Sequence, residues 1–186
     1  MLGGNNGQTL SRLDTSYTDF VRGTLFKIGD VAVPKYVLYS VIITALMWVI
    51  WNKTKFGKNM FAVGTNQEAA AVSGVNVAKT IILVFALAGI TYGISGFVES
   101  ARIASNSTAT GVNYELDAIA ACVIGGVSFM GGIGKIRGVI LGVFLLQIVN
   151  AGLVFLEFNP AAQTIVKGAI ILFACAMDMR KYIAKK

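Results

Sequence analysis

The 186-residue sequence has no histidine, two cysteines, two prolines and few charges, with only 13% of its residues being Asp, Glu, Lys or Arg. Without histidine the usual clusters that hold a metal are missing, so no metal site is expected. Two cysteines exclude a disulfide scaffold. Cys122 and Cys175 stand alone in apolar surroundings and read as small buried hydrophobes. The shortage of charge excludes more. It is about half the level of a soluble globular domain, and a soluble fold of this size needs a charged skin. What is present is apolar: 55% of residues are hydrophobic and the mean hydropathy is +0.70. That excludes disorder. The 21 glycines follow no triplet, which excludes collagen-like order. An integral membrane protein remains, and the net charge of +7 becomes a statement about orientation rather than about nucleic acid.

A helix needs about 20 apolar residues to cross a bilayer. Five stretches qualify: Tyr36 to Trp51, Thr80 to Val98, Ala118 to Gly134, Gly138 to Leu156, and Pro160 to Met177. The sequence therefore predicts an all-α membrane protein with about five transmembrane helices. The third stretch holds Gly125–Gly126 and Gly131–Gly132, which suggests a broken or partly unwound span. Basic residues in short loops set orientation. Lys53, Lys55, Lys58, Lys79, Lys135, Arg137, Arg180, Lys181, Lys185 and Lys186 all fall on one side if the five stretches cross fully. The other side holds Asp14, Asp19, Asp30, Glu99, Glu115 and Glu157, with Arg12, Arg22, Lys27, Lys35 and Arg102. This pattern puts the C-terminus in the cytoplasm and residues 1–33 outside. If the third stretch dipped in and returned, the basic tail would lie outside, so a full crossing is expected.

Residues 1–33 form a polar extracytoplasmic segment without the basic leader and apolar core of a signal peptide. Such a segment does not readily cross a membrane unaided. Residues 34–186 are accordingly expected to be the C-terminal part of a larger transmembrane domain.

Enzyme motifs are missing. A Walker A loop needs two glycines five apart followed by lysine and a hydroxyl residue. Gly134–Lys135 is followed by Ile136 and has Phe129 in place of the first glycine, and Gly57–Lys58 fails with Asn52 and Asn59. No catalytic residue and no cofactor of the chain's own are expected. Asn106-Ser107-Thr108 matches a glycosylation sequon and is best taken as chance.

The segment between the first two spans, Asn52 to Lys79, is unusual. Thr65 and Glu68 are spaced as in a capping box, Ala69, Ala70 and Ala71 favour helix, and Gly74 is a stop signal with Asn76 beyond. The spacing predicts a helix of two or three turns on the cytoplasmic side. Its small residues suit close approach of another surface, although an interfacial helix without a partner fits the spacing equally.

The run from Asn52 to Val77, NKTKFGKNMFAVGTNQEAAAVSGVNV, resembles the ABC-importer permeases of the ribose and galactose group. So do Tyr114 to Gly132, YELDAIAACVIGGVSFMGG, and the later Lys167-Gly168-Ala169-Ile170-Ile171. The likeness runs from about residue 30 to the C-terminus, and members of the group are roughly twice as long. It implies a permease subunit of a bacterial inner-membrane sugar importer, with galactose or methyl-galactoside ahead of ribose and xylose. It also implies a cytoplasmic ATPase that binds the ATP, a periplasmic sugar-binding protein and a second permease subunit. Carried over, the ATPase-docking element is Gly64, Asn66, Glu68, Ala69, Ala70, Gly74 and Val75.

Further candidates lie in the spans. Asp117 stands at the outer edge of the third stretch, and Lys167 lies about 10 Å inside the fifth by helical rise. A charge at that depth expects a partner, so the two are paired here as pathway candidates, against the plainer reading that Lys167 snorkels to the interface. Gln147 and Asn150 are polar at mid-membrane depth and suit sugar hydroxyls or neighbouring helices. Gly134, Gly138 and Gly142, and Gly89 with Gly93, recur every four residues, as in membrane helices that pack backbone to backbone. An ion-coupled secondary transporter would keep carboxylates or histidines deep in its spans. Asp117 and Asp178 lie near the edges. A passive channel would have no use for the cytoplasmic helix.

Overall fold

The computed structural model describes residues 14–28, 31–107 and 109–183. Residues 1–13, 29 and 30 of the expected extracytoplasmic segment, with Arg12 and Asp30 among them, lie outside the described residues, as do Thr108 of the sequon and the terminal Lys185 and Lys186. Eight helices and two strands follow one another among the described residues: α1 Thr15–Arg22, β1 Thr24–Ile28, β2 Val31–Pro34, α2 Lys35–Lys53, α3 Lys55–Thr65, α4 Gln67–Val72, α5 Val77–Ile103, α6 Tyr114–Ile124, α7 Ile136–Phe155 and α8 Pro160–Ile183. The chain divides into two compact units. One is Met1–Thr54 with Ala78–Gly111, the other Lys55–Val77 with Val112–Lys186.

In the first unit, α2 and α5 are long and apolar enough to span a membrane. At helical rise α2 measures about 28 Å and α5 about 40 Å, against a hydrocarbon core of about 30 Å. The described residues before α2 are structured. Asp14 caps α1 by accepting from the Ser16 N–H at 2.9 Å. The aromatic face of α1 then ties the start of α2 to the far end of α5. Phe20 stacks on Tyr39 at 5.5 Å, and the Tyr17 hydroxyl donates to the Phe97 carbonyl at 2.6 Å. Val21 is fully buried beneath them. The antiparallel β1–β2 hairpin, pairing Phe26 with Val33 and Lys27 with Ala32, is a small departure from an all-α chain.

In the second unit, α7 and α8 are the helices long enough to span. The third stretch is broken at its glycines, as the sequence suggested, and its helix falls short of the expected reach from Ala118 to Gly134. Helix α6 starts four residues earlier, at Tyr114, and stops after 11 residues, about 16 Å, at Ile124. The cause is the glycine pair. Gly126 takes φ +81°, the left-handed conformation that an L side chain resists, and the Gly126 and Val127 amides close the helix end onto the Val123 and Cys122 carbonyls. Residues 125–135 then run as a loop to the start of α7.

Helix α6 lies antiparallel to α7, because Gly125 approaches Gly138 and Ala121 approaches Gly142. It lies parallel to α8, because Asp117 meets Lys167 and Ser128 meets Asp178, each pair fifty residues apart. The segment therefore does not double back: the loop after it emerges at the end where α7 begins and α8 finishes. Small side chains permit this packing. Ala120, Ala121 and Leu146 are buried together, with Ile124 and Ile171 against them. Elsewhere the large apolar residues of the helices point outward, among them Phe85, Phe144, Ile165 and Leu172 at 66–74% exposure. Water would make that arrangement unstable, whereas lipid tails are its natural solvent.

Candidate functional site

The expected docking element forms as two short helices rather than one. Helix α3 ends at Thr65, and Asn66, not Thr65, caps α4 by accepting from the Ala69 N–H at 2.9 Å. The Thr65 hydroxyl turns back to the Phe61 carbonyl at 2.8 Å, so the Thr65–Glu68 capping box read from the sequence is not made. Helix α4 is six residues long, shorter than the expected two or three turns. Its end is built as the glycine predicts: Gly74 takes φ +82°, and the Val75 N–H donates to the Ala70 carbonyl at 3.0 Å. Glu68, Ala69 and Gly74 are exposed, and Val72 is 90% exposed. Ala70 is buried at 4%, so of the docking residues it is the one turned inward.

Gly64 rests on the loop between α6 and α7. A Cβ at Gly64 would meet the Gly132 N at 2.8 Å, and one at Gly131 would meet the Gly64 carbonyl oxygen at 2.6 Å. Gly131 and Gly132 both have positive φ, at +89° and +69°. Two further groups hold the loop. Asp178 Oδ2, near the end of α8, accepts from the Ser128 hydroxyl at 2.7 Å and from the Phe129 N–H at 3.2 Å. Beside the loop, Phe61, Gly126, Ile133, Lys135 and Gly138 line an open cleft of about 460 Å³.

At the other end of α6, Lys167 Nζ lies 2.6 Å from Asp117 Oδ1. The lysine side chain is 15% exposed and the aspartate 33%. Asp117 Oδ1 has no aligned hydrogen bond, so the contact is an ion pair by distance alone. Asp117 and Glu115 sit in the first turn of α6, where the helix dipole favours negative charge. Asn150 on α7 is half-buried, and its Oδ1 is buried without a donor among the described residues. Gln147 is exposed.

Sequence comparison places this geometry. The model of a family described as branched-chain amino acid transport system / permease component matches residues 3–175. The chain belongs to this family. It is 47% identical over 177 residues to the galactose/methyl galactoside import permease protein of Escherichia coli, covering 95% of this chain and 52% of that protein. It is 39% identical over 173 residues to the xylose transport system permease protein of Haemophilus influenzae, covering 91% and 46%. It is 35% identical over 176 residues to the ribose import permease protein of Bacillus subtilis, covering 95% and 54%. The chain thus spans about half the length of the curated relatives it matches. No solved structure matches it.

Family membership and the apolar helices make this a multi-pass membrane protein. Within this permease-family chain, the glycines expected to pack behave differently. Gly138 and Gly142 of α7 lie directly on the α6 backbone at Gly125 and Ala121. Gly134 precedes α7 and sits in the loop against Val127, not on a helix face. Among the described residues nothing lies within 4 Å of a Cβ at Gly89 or Gly93 of α5. Sequence reasoning placed Asp178 only as an edge carboxylate and missed its link to Ser128. Asp178 is the single acidic residue after Glu157. That isolation was the available signal.

Proposed function

We propose that this chain is a permease part of a bacterial inner-membrane importer that carries a monosaccharide of the galactose/methyl galactoside class. The observation that supports it most is the identity of 45–47% to galactose/methyl galactoside import permeases over at least 95% of the chain. The permease does no covalent chemistry. ATP binds and is hydrolysed on a separate cytoplasmic ATPase, a periplasmic binding protein delivers sugar, and a second permease subunit completes the pathway. The basic loops and tail face the cytoplasm, as the positive-inside rule asks.

In this reading α4 is the part the ATPase grips. Its capped ends make it a rigid peg, and every residue of it but Ala70 is exposed, Glu68, Ala69 and Val72 among them. Asp117 and Lys167 form the charged pair beside the pathway, with Asn150 and Gln147 as the polar groups available to sugar hydroxyls. An ion-coupled secondary transporter is the weaker reading, because the Asp117 carboxylate is engaged by Lys167.

Two measurements test the proposal. Uptake of labelled galactose by cells carrying the full transporter should outpace uptake of ribose and xylose. It should survive collapse of the proton gradient and stop when ATP is depleted. Glu68→Lys reverses a charge in the exposed first turn of α4, where one lost contact costs about 2 kcal/mol or more than tenfold in docking affinity. Uptake should fall while sugar binding to the external protein is unchanged. Unaltered uptake by the Glu68→Lys variant sinks the docking assignment.

A further inference from the structure

We propose that Asp178 is a positioning residue for energy coupling: its carboxylate fixes the Ser128–Gly132 turn as the relay through which movement of α3 and α4 reaches α8 and α6. The proposal rests on the reading of α4 as the ATPase-docking helix and extends it into the membrane unit.

Three observations carry it. The first is the clamp. Hydrogen bonds to an ionised acceptor are roughly twice as strong as neutral ones, and Asp178 accepts two of them from consecutive residues of the turn. Ser128 is buried at 8%. The second is the closure of the turn on itself. The Ser128 hydroxyl oxygen accepts from the Met130 N–H at 3.1 Å, the Ser128 N–H donates to the Ile133 carbonyl at 3.0 Å, and the Gly131 N–H donates to the Ser128 carbonyl at 3.3 Å. The turn therefore moves as a body with Asp178 attached. The third is the bearing surface. Gly131 and Gly132 touch Gly64 and Thr65 with no space for a Cβ. The Gly64 contact is backbone on backbone and has no rotamers that could absorb a displacement, and Gly132 also abuts the Thr65 Cα and side chain, so a push on α3 is passed on.

The line of contacts is continuous: α4 is capped by Asn66, which directly follows Thr65 of α3; Gly64 and Thr65 bear on Gly131 and Gly132; Ser128 and Phe129 bond Asp178 on α8. Eleven residues back along α8, about 16 Å, Lys167 is paired with Asp117 of α6. Asp178 thus joins the docking end to the helix that carries the intramembrane pair.

The test uses the complete transporter in proteoliposomes, with its ATPase and binding protein, comparing wild type, Asp178→Asn, Asp178→Glu and Ser128→Ala. Asp178→Asn keeps the shape and removes the charge. The ATP hydrolysed per sugar imported should rise about threefold or more in Asp178→Asn. Ser128→Ala should be intermediate, and Asp178→Glu should lie closest to wild type. A merely structural loss would lower uptake and hydrolysis together and leave the ratio unchanged, and that result overturns the proposal. Hydrogen exchange on the same preparations gives a readout independent of transport. Asp178→Asn should speed exchange at amides 129–133 and, through the glycine bearing, at 62–66. Should the wild-type complex show no sugar-dependent hydrolysis, the importer reading fails by itself and exchange alone decides: spread to 62–66 upholds the relay, and faster exchange confined to 129–133 overturns it.

Discussion

A side chain at position 142 has nowhere to go, because a Cβ there runs into the Ala121 carbonyl oxygen and the Gly125 amide. Gly142→Val must therefore force α7 off α6, and overpacking of this kind costs about 1–3 kcal/mol. Thermal unfolding of the detergent-solubilised protein should show a clearly lowered midpoint. Gly152→Ala on the same helix meets nothing within 4 Å and should leave the midpoint level or slightly raised, since alanine favours helix by roughly 0.5–1 kcal/mol. The Asp117–Lys167 pair follows a different logic. Removing one member leaves the other partly buried and unpaired. A fully buried pair would lose about 3–5 kcal/mol in this way, and the exposure of these two side chains reduces that to about 1–2. Asp117→Asn and Lys167→Met should each destabilise, and the double variant should be more stable than the sum of the two implies. At this scale the sequence was legible in chemistry but not in geometry. Four-residue glycine spacing licenses close approach, yet among the described residues only Gly138 and Gly142 meet a neighbouring helix and Gly89 and Gly93 do not, because spacing names a face and not the surface opposite.

Helix α4 is too short to persist alone, since helices under about 12 residues are marginal in water. Its order comes from its ends and from the buried Ala70. Asn66→Ala removes the side-chain cap and should cost about 1 kcal/mol, seen as faster exchange of the Glu68 and Ala69 amides. Thr65→Ala, whose hydroxyl serves Phe61, should leave those amides unchanged. The contrast separates the observed cap from the one the Thr65–Glu68 spacing suggested. That misreading has a physical source: a threonine hydroxyl can cap forward or bond back to the carbonyl four residues earlier, and spacing does not distinguish them. The long helices α2, α5, α7 and α8 were readable because uninterrupted apolar length is a one-dimensional property. The break after α6 was legible in its glycine pair, but its exact place was not, because the apolar run continues through Val127 and Phe129 after Gly126 has already turned the backbone. Nor was the link between Ser128 and Asp178, which only the parallel packing of α6 and α8 creates.

Within the second unit, geometry and charge make a joint claim about the bilayer. The loop of residues 125–135 and the finish of α8 lie at one end, and the α7–α8 turn at Glu157 and Asn159 lies at the other, separated by the 20 residues and about 30 Å of α7. That length matches the hydrocarbon core, so on the proposed reading the two ends face opposite aqueous compartments. The proposed orientation puts Lys135, Arg137 and Arg180 at the cytoplasmic end and Glu157 at the outer one. Single cysteines replacing Lys135 and Asn159, in a background with Cys122 and Cys175 replaced by serine, turn this into a labelling experiment on intact cells. A membrane-impermeant maleimide added outside should label the Asn159→Cys variant and spare Lys135→Cys until the cells are opened. Labelling of both from the same side would mean that α7 does not cross. The reverse pattern would keep the crossing but invert the chain, placing α4 where no cytoplasmic ATPase reaches it. The two failures are therefore distinct: the first removes the membrane fold of the unit, and the second removes the coupling role built upon it.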